Sequence, residues 1–188
     1  MKDIAYLLNR IKSVEPKKRT IYDPKQVVQV MQVINPSWVC GELELHAVNW
    51  MVNSDKWILL QGNLGTGKSM LIDLYCKAIY TIEKRRVAQY TTDELCYHHK
   101  RNSDLLMELS NTEVCLDELG VESETVNTYG TKSDPVSELI RMKYHKKTRL
   151  IMATNLTNEQ IFSRYGDRIA DRFREMCHVI VFKGESKR

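Results

Sequence analysis

The chain has 188 residues, room for one sizeable core and a short appendage but not for two full domains. Its 43% hydrophobic and 28% charged residues are ordinary globular usage, and no segment approaches the ~18 uncharged apolar residues of a membrane-spanning helix, which excludes that class. The net charge of +4 is mild but uneven: from Arg141 onward there are twelve Lys/Arg against five Asp/Glu, whereas Asn102 to Thr131 holds seven acids and no Lys or Arg. Such a basic C-terminal third suits a polyanion, either nucleic acid or nucleotide phosphate, or is a solvated surface.

Five cysteines (Cys40, Cys76, Cys96, Cys115, Cys177) are widely spaced, odd in number and without a Cys-x-x-Cys pair, against both a disulfide framework and a zinc site. Cys76 and Cys115 fall in apolar runs, as small hydrophobes do. The start, MKDIAYLLNRIK, lacks the uninterrupted apolar core and cleavage site of a secretory signal, so a cytoplasmic protein is expected.

In chain order, Ile4, Leu7, Leu8 and Ile11 recur at helical spacing and predict a short amphipathic helix. The Pro- and charge-rich SVEPKKRTIYDPKQ reads as a linker, giving an extension over 1–19 and a main domain over 20–188. Five apolar runs follow, KWILLQ (56–61), RVAQY (86–90), EVCLD (113–117), RLIMAT (149–154) and HVIVF (178–182), separated by helical patterns. That alternation predicts an α/β fold with a five-stranded parallel sheet flanked by helices. In SDPVSELIRMKYHKK, Ser133 or Asp134 caps a helix, Pro135 fits its first turn, and Val136, Leu139 and Ile140 share a face.

Between the first strand and its helix lies GNLGTGKSM: Gly62, Asn63, Leu64, Gly65, Thr66, Gly67, Lys68, Ser69 and Met70. Gly62, Gly67, Lys68 and Ser69 match the phosphate-loop pattern in the context its physics requires. Glycines let several backbone N–H groups face one phosphate, and the helix N-terminus adds its dipole. Lys68 would reach the β- and γ-phosphates of ATP, and the Ser69 hydroxyl would ligate Mg²⁺. CLDELG supplies Asp117 as the acid on the Mg²⁺ side and Glu118 to orient or deprotonate water. Two adjacent acids at a strand end are costly unless a cation or solvent receives them.

Asn155 ends the fourth run, where its amide either holds water by hydrogen bonds without adding charge or simply starts a turn. YGDRIADRFREMC sets Arg168, Arg172 and Arg174 among Asp167 and Asp171. Either they pair with those acids, or one projects to an adjoining subunit's γ-phosphate.

Together GNLGTGKSML, CLDELG, YGTKSDPVSELIRMKY, IMATNL, RYGDRIADRFREM and the closing GESKR resemble the AAA+ ATPases of the DnaC/DnaI helicase-loader type and their IstB transposition relatives, over roughly Thr20 to Arg188. The resemblance implies an ATP-dependent homo-oligomer with Asn155 as sensor 1, Arg172 as arginine finger and Arg188 as the arginine of a terminal element facing the nucleotide. It further implies single-stranded DNA in a central pore or groove, and a replicative helicase or a transposase as partner. Tyr129, Lys132 and Lys143 are candidates for the DNA contact, although tyrosines more often pack. Two features depart from the loader pattern or narrow it: only 20 to 40 residues precede the ATPase core where loaders carry a helicase-gripping domain, and no helical lid follows the fifth strand, as in the loader and IstB branch. The N-terminal stripe is then either a reduced partner-binding helix or packing for the chain's own core.

These readings converge on an ATPase that loads or remodels a helicase. Its rivals are an IstB-like helper of a transposase, an ATP-locked binding module with negligible hydrolysis, and a small-molecule kinase, which Asn155 and the arginine segment disfavour.

Overall fold

The structure is a computed structural model describing residues 22–122 and 134–183, with the backbone alone of 126–128 and 131–133. The N-terminal stripe, Tyr129, the Lys132 side chain and Arg188 therefore lie outside the described residues.

Two helices open it, α1 (Pro24–Ile34) and α2 (Glu42–Asn53). The expected linker ran to Gln26, but the helix begins sooner: Asp23 accepts a hydrogen bond from Lys25 N, and Pro24 occupies the first turn where it lacks no needed donor. There follow β1 (Trp57–Gly62), α3 (Lys68–Glu83), β2 (Ala88–Thr91), α4 (Thr92–His99), α5 (Leu105–Leu109), β3 (Val114–Leu119) and a hairpin of β4 (Val126–Thr128) and β5 (Thr131–Ser133). The chain continues through α6 (Pro135–Lys146), β6 (Leu150–Thr154), α7 (Asn158–Tyr165), α8 (Asp167–Met176) and β7 (Cys177–Phe182). The main sheet has the order β2-β3-β6-β1-β7 with every pairing parallel, so all five expected runs became its strands. The hairpin was not expected, because its short polar strands carry no apolar alternation. Asp134 caps α6 by accepting from Ser137 N, and Val136, Leu139 and Ile140 are buried.

Successive strand residues point to opposite faces, and both faces are covered, as a parallel sheet requires. Ile58, Leu60, Cys115, Ile151, Ala153 and Ile180 pack with α1, α2 and α3. Trp57, Leu59, Val114, Leu116, Leu150 and Met152 pack on the other face with helices α4 to α8. Trp57 is fully buried and donates its indole N–H to Thr148 O at 2.8 Å, leaving no polar atom unsatisfied there. Among the described residues no helix is long and apolar enough to cross a membrane.

Glu113 precedes β3 and anchors a network at the sheet's lower edge. Arg149 Nη1 donates to Glu113 Oε1 at 2.6 Å, Arg85 Nη1 to Oε2 at 2.8 Å, and Tyr75 Oη to Oε1 at 2.7 Å. Arg149 Nη2 also donates to Met51 O at 2.6 Å, tying β6 to α2. Removing one partner of a largely buried pair strands the other charge. Arg149→Met is therefore expected to cost about 3 kcal/mol in urea unfolding, while a change below about 1 kcal/mol would show that the network is solvated.

Candidate nucleotide site

A cavity of about 790 Å³ opens at the C-terminal ends of the parallel strands. Leu64 to Met70, Asp117, Glu118 and Asn155 all line it, so three separate strand ends contribute. In open parallel sheets this edge is where ligands bind.

The loop is built on backbone geometry that side chains resist. Gly62 has φ +156°, and a Cβ there would lie 2.2 Å from the Phe182 carbonyl oxygen, because β7 runs alongside. Gly65 and Gly67 also have positive φ, so the chain folds back on itself and turns into α3 with its first-turn N–H groups free of intrahelical partners. Lys68 is 6% exposed and donates to Gly62 O at 2.7 Å and Asn63 O at 2.8 Å. Burial lowers its pKa from the usual lysine value, and the charge of Asp117 opposes that shift. A buried ammonium, an array of backbone donors and an exposed Ser69 hydroxyl fit a nucleoside triphosphate with Mg²⁺, and the Asp117 carboxylate lines the same cavity.

At the end of β3 the ladder to β6 shifts register between Leu116 and Leu119. The two acids sit in that irregularity. Asp117 is nearly buried and accepts from Glu118 N at 2.9 Å. Glu118 is exposed, with φ +57°, a conformation that residues with a Cβ rarely adopt. Thr92 Oγ1 holds it by donating to Glu118 O at 2.9 Å. Such strain persists where surrounding contacts over-determine it, and it clusters at functional sites. Beyond it, Gly120 N donates to the buried Glu122 carboxylate at 2.9 Å, and Tyr165 Oη and Arg164 also bond Glu122. The loop carrying the acids is thereby fastened to α7.

Asn155 follows Thr154, whose hydroxyl donates to Leu119 O at 2.7 Å and accepts from Leu156 N at 3.0 Å. The ends of β3 and β6 are locked together by that one side chain. Sequence reasoning passed over Thr154, and also Ser37, Trp38, Val39, Gly41 and Glu44, which line the cavity's far wall. An aromatic residue in a loop bounded by Pro36 and Gly41 was the available signal, but nothing local says that α1 and α2 fold back over the phosphate loop.

Arg172 does not line the cavity. It lies on α8, its guanidinium 5.0 Å from the Tyr144 ring centre on α6, with Nη1 enclosed and without a hydrogen-bond partner. The acid-pairing alternative holds for Arg174, which bonds Asp171. Lys143 is corrected as a DNA-contact candidate: it is fully buried, donating to Thr112 O at 2.6 Å and Arg149 O at 3.1 Å. Basic residues cluster at that helix end, and only packing reveals which one turns inward.

No family model and no curated protein matches the sequence. Solved structures do match. The DnaC helicase loader superposes with a TM-score of 0.63 at 21% identity, covering 85% of this chain and 99% of that one. DnaI gives a TM-score of 0.63 at 14% identity, covering 87% and 96%. The replication initiator DnaA bound to AMPPCP and single-stranded DNA gives 0.60 at 15%, covering 80% of this chain and 49% of that one.

Burial lowers the Lys143 pKa to about 7. The unfolded chain then binds more protons than the folded one from about pH 7 up to the ordinary lysine value, so this residue makes stability rise with pH in that window. Relative to Lys143→Met, the wild type is expected to gain up to ~1.4 kcal/mol per pH unit between pH 7 and about pH 9 in denaturant titrations. Parallel curves for the two proteins would refute a neutral buried amine.

At these identities the likeness establishes architecture: the chain has the P-loop AAA+ fold seen in the structures of the DnaC helicase loader, of DnaI and of DnaA.

Proposed function

We propose that the chain binds ATP·Mg²⁺ in this cavity, hydrolyses the ATP, and uses the cycle to act on single-stranded DNA and to load or remodel a replicative helicase. One observation carries the nucleotide part: Lys68, Ser69, Asp117, Glu118 and Asn155, read separately from sequence, line a single cavity. The helicase and DNA parts draw on the neighbours, one of which is the DnaC helicase loader and one a DnaA bound to single-stranded DNA. What remains of the basic surplus after Arg141, with the buried Lys143 and the paired Arg149 and Arg174 set aside, supports a polyanionic partner.

In this reading Lys68 swings its ammonium from the carbonyls of Gly62 and Asn63 to the β- and γ-phosphates, and the N–H groups of Asn63 to Met70 complete the cradle. Ser69 and Asp117 would hold Mg²⁺, which would supply neutralisation of the phosphate charge. Glu118 takes a proton from the attacking water, held in place by Asn155, so that ADP and phosphate result. Arg172 acts across the interface in a homo-oligomer, leaving the Tyr144 ring to meet charge developing in an adjoining copy's site. Arg188, Lys132 and Tyr129 stay as proposed nucleotide and DNA contacts, and the N-terminal stripe as a partner-binding helix.

Three variants separate these roles. Lys68→Ala is expected to abolish binding of a fluorescent ATP analogue, and full binding would sink the site assignment. Glu118→Gln should bind normally but turn over ~100-fold more slowly. Arg172→Ala should bind normally and lose ~1,000-fold in turnover; turnover per subunit equal to wild type at every protein concentration would rule out its role in trans. Retention of the replicative helicase with ATP but not ADP tests the partner.

A further inference from the structure

Cys76 lies on α3, the helix that begins at the phosphate loop, and Cys115 on β3, two residues before Asp117. Their sulfurs are 3.6 Å apart. Cys115 is completely buried, whereas Cys76 is partly exposed and lines a second, open cleft of about 570 Å³ with Ile34, Tyr80, Arg86 and Val87. The cleft thus gives a small solute a route to one residue of a contacting pair whose other member is completely buried. The nucleotide-binding reading makes no use of either thiol.

We propose that Cys76 and Cys115 are a peroxide-sensitive dithiol, a modification site whose oxidation ties α3 to β3 and weakens nucleotide binding in the cavity between their ends. The loss of affinity rests on the nucleotide reading above; the bond itself does not.

The chemistry balances with hydrogen peroxide as the oxidant. Cys76 sulfur attacks one peroxide oxygen, giving a sulfenic acid and one water. Cys115 sulfur then attacks the Cys76 sulfur and expels hydroxide, which takes the Cys115 proton and leaves as a second water. Two thiols lose two hydrogens and two electrons, and the peroxide is reduced to two waters.

Burial pushes the Cys115 thiol well above the usual range, with Cys76 and the charge of Glu113 adding to the shift. Cys115 is therefore the resolving partner and Cys76 the one first oxidised. Contact between the sulfurs lets resolution compete with further oxidation of Cys76.

A disulfide needs its sulfurs about 2.05 Å apart. Closing the 3.6 Å separation brings the sulfurs ~1.5 Å nearer, and whatever side-chain rotation does not absorb draws α3 and β3 together. Cores so packed shift as units rather than deform locally. Lys68 and Ser69 stand two helical turns before Cys76, and Asp117 next but one to Cys115, so both halves of the nucleotide cradle are displaced.

The full-length protein is treated with hydrogen peroxide, digested with trypsin and weighed, in parallel with binding of a fluorescent ATP analogue. The expected product is peptide 69–77 joined to peptide 102–132 with two hydrogens lost. Analogue affinity should fall about tenfold, the order expected for loss of one hydrogen bond to a charged phosphate. Dithiothreitol should restore it, and Cys76→Ala should be insensitive to peroxide. Cys76 found only as sulfinic or sulfonic acid, or disulfides formed only between chains, would overturn the pair. The joined peptide with unchanged affinity would overturn the coupling. Reduced protein that never binds the analogue would instead defeat the nucleotide reading, and the mass result would still decide the bond.

Discussion

All five strands of the main sheet run the same way, and most of the site follows from that constraint. Parallel strands bring every C-terminal end to one edge, so the loops leaving β1, β3 and β6 open side by side although they are distant in sequence. The phosphate loop, the acid pair and Asn155 need no further device to meet. What they need is fine placement, and short-range fasteners provide it.

Those fasteners are polar and directional. Thr154 ties β6 to β3, Thr92 holds the strained carbonyl of Glu118, and Glu122 gathers Gly120, Arg164 and Tyr165 around the loop beyond the acids. Gly62 admits β7 to within a distance no Cβ tolerates. At the opposite edge, the Glu113, Arg149 and Tyr75 network pins the strand starts. The sheet is thus clamped at both ends, with apolar packing on both faces between them.

The same economy explains where the arginines and lysines went. A basic C-terminal third suggested an exposed surface for a polyanion, yet Lys143 instead satisfies two backbone carbonyls at the end of α6, and Arg149 bonds Glu113 and Met51. Charge counted along a sequence overstates charge available to a partner whenever buried carbonyls or carboxylates claim part of it. Arg172, resting on Tyr144, and Arg174, paired with Asp171, show two fates for neighbours on one short helix.

The sequence by itself determined the five parallel strands and the phosphate loop, because both are written locally: apolar runs of strand length, and glycines at fixed spacing before Lys68 and Ser69. It also named Asp117, Glu118 and Asn155, since strand ends can be read from where apolar runs stop. Only the tertiary structure decided the register shift that throws Glu118 into the cavity, the wall supplied by Trp38 and Val39, the burial of Lys143 and the contact of Cys76 with Cys115. Each of these depends on which helix packs over which strand, a choice made by side-chain fit across tens of residues, and no local spacing encodes it.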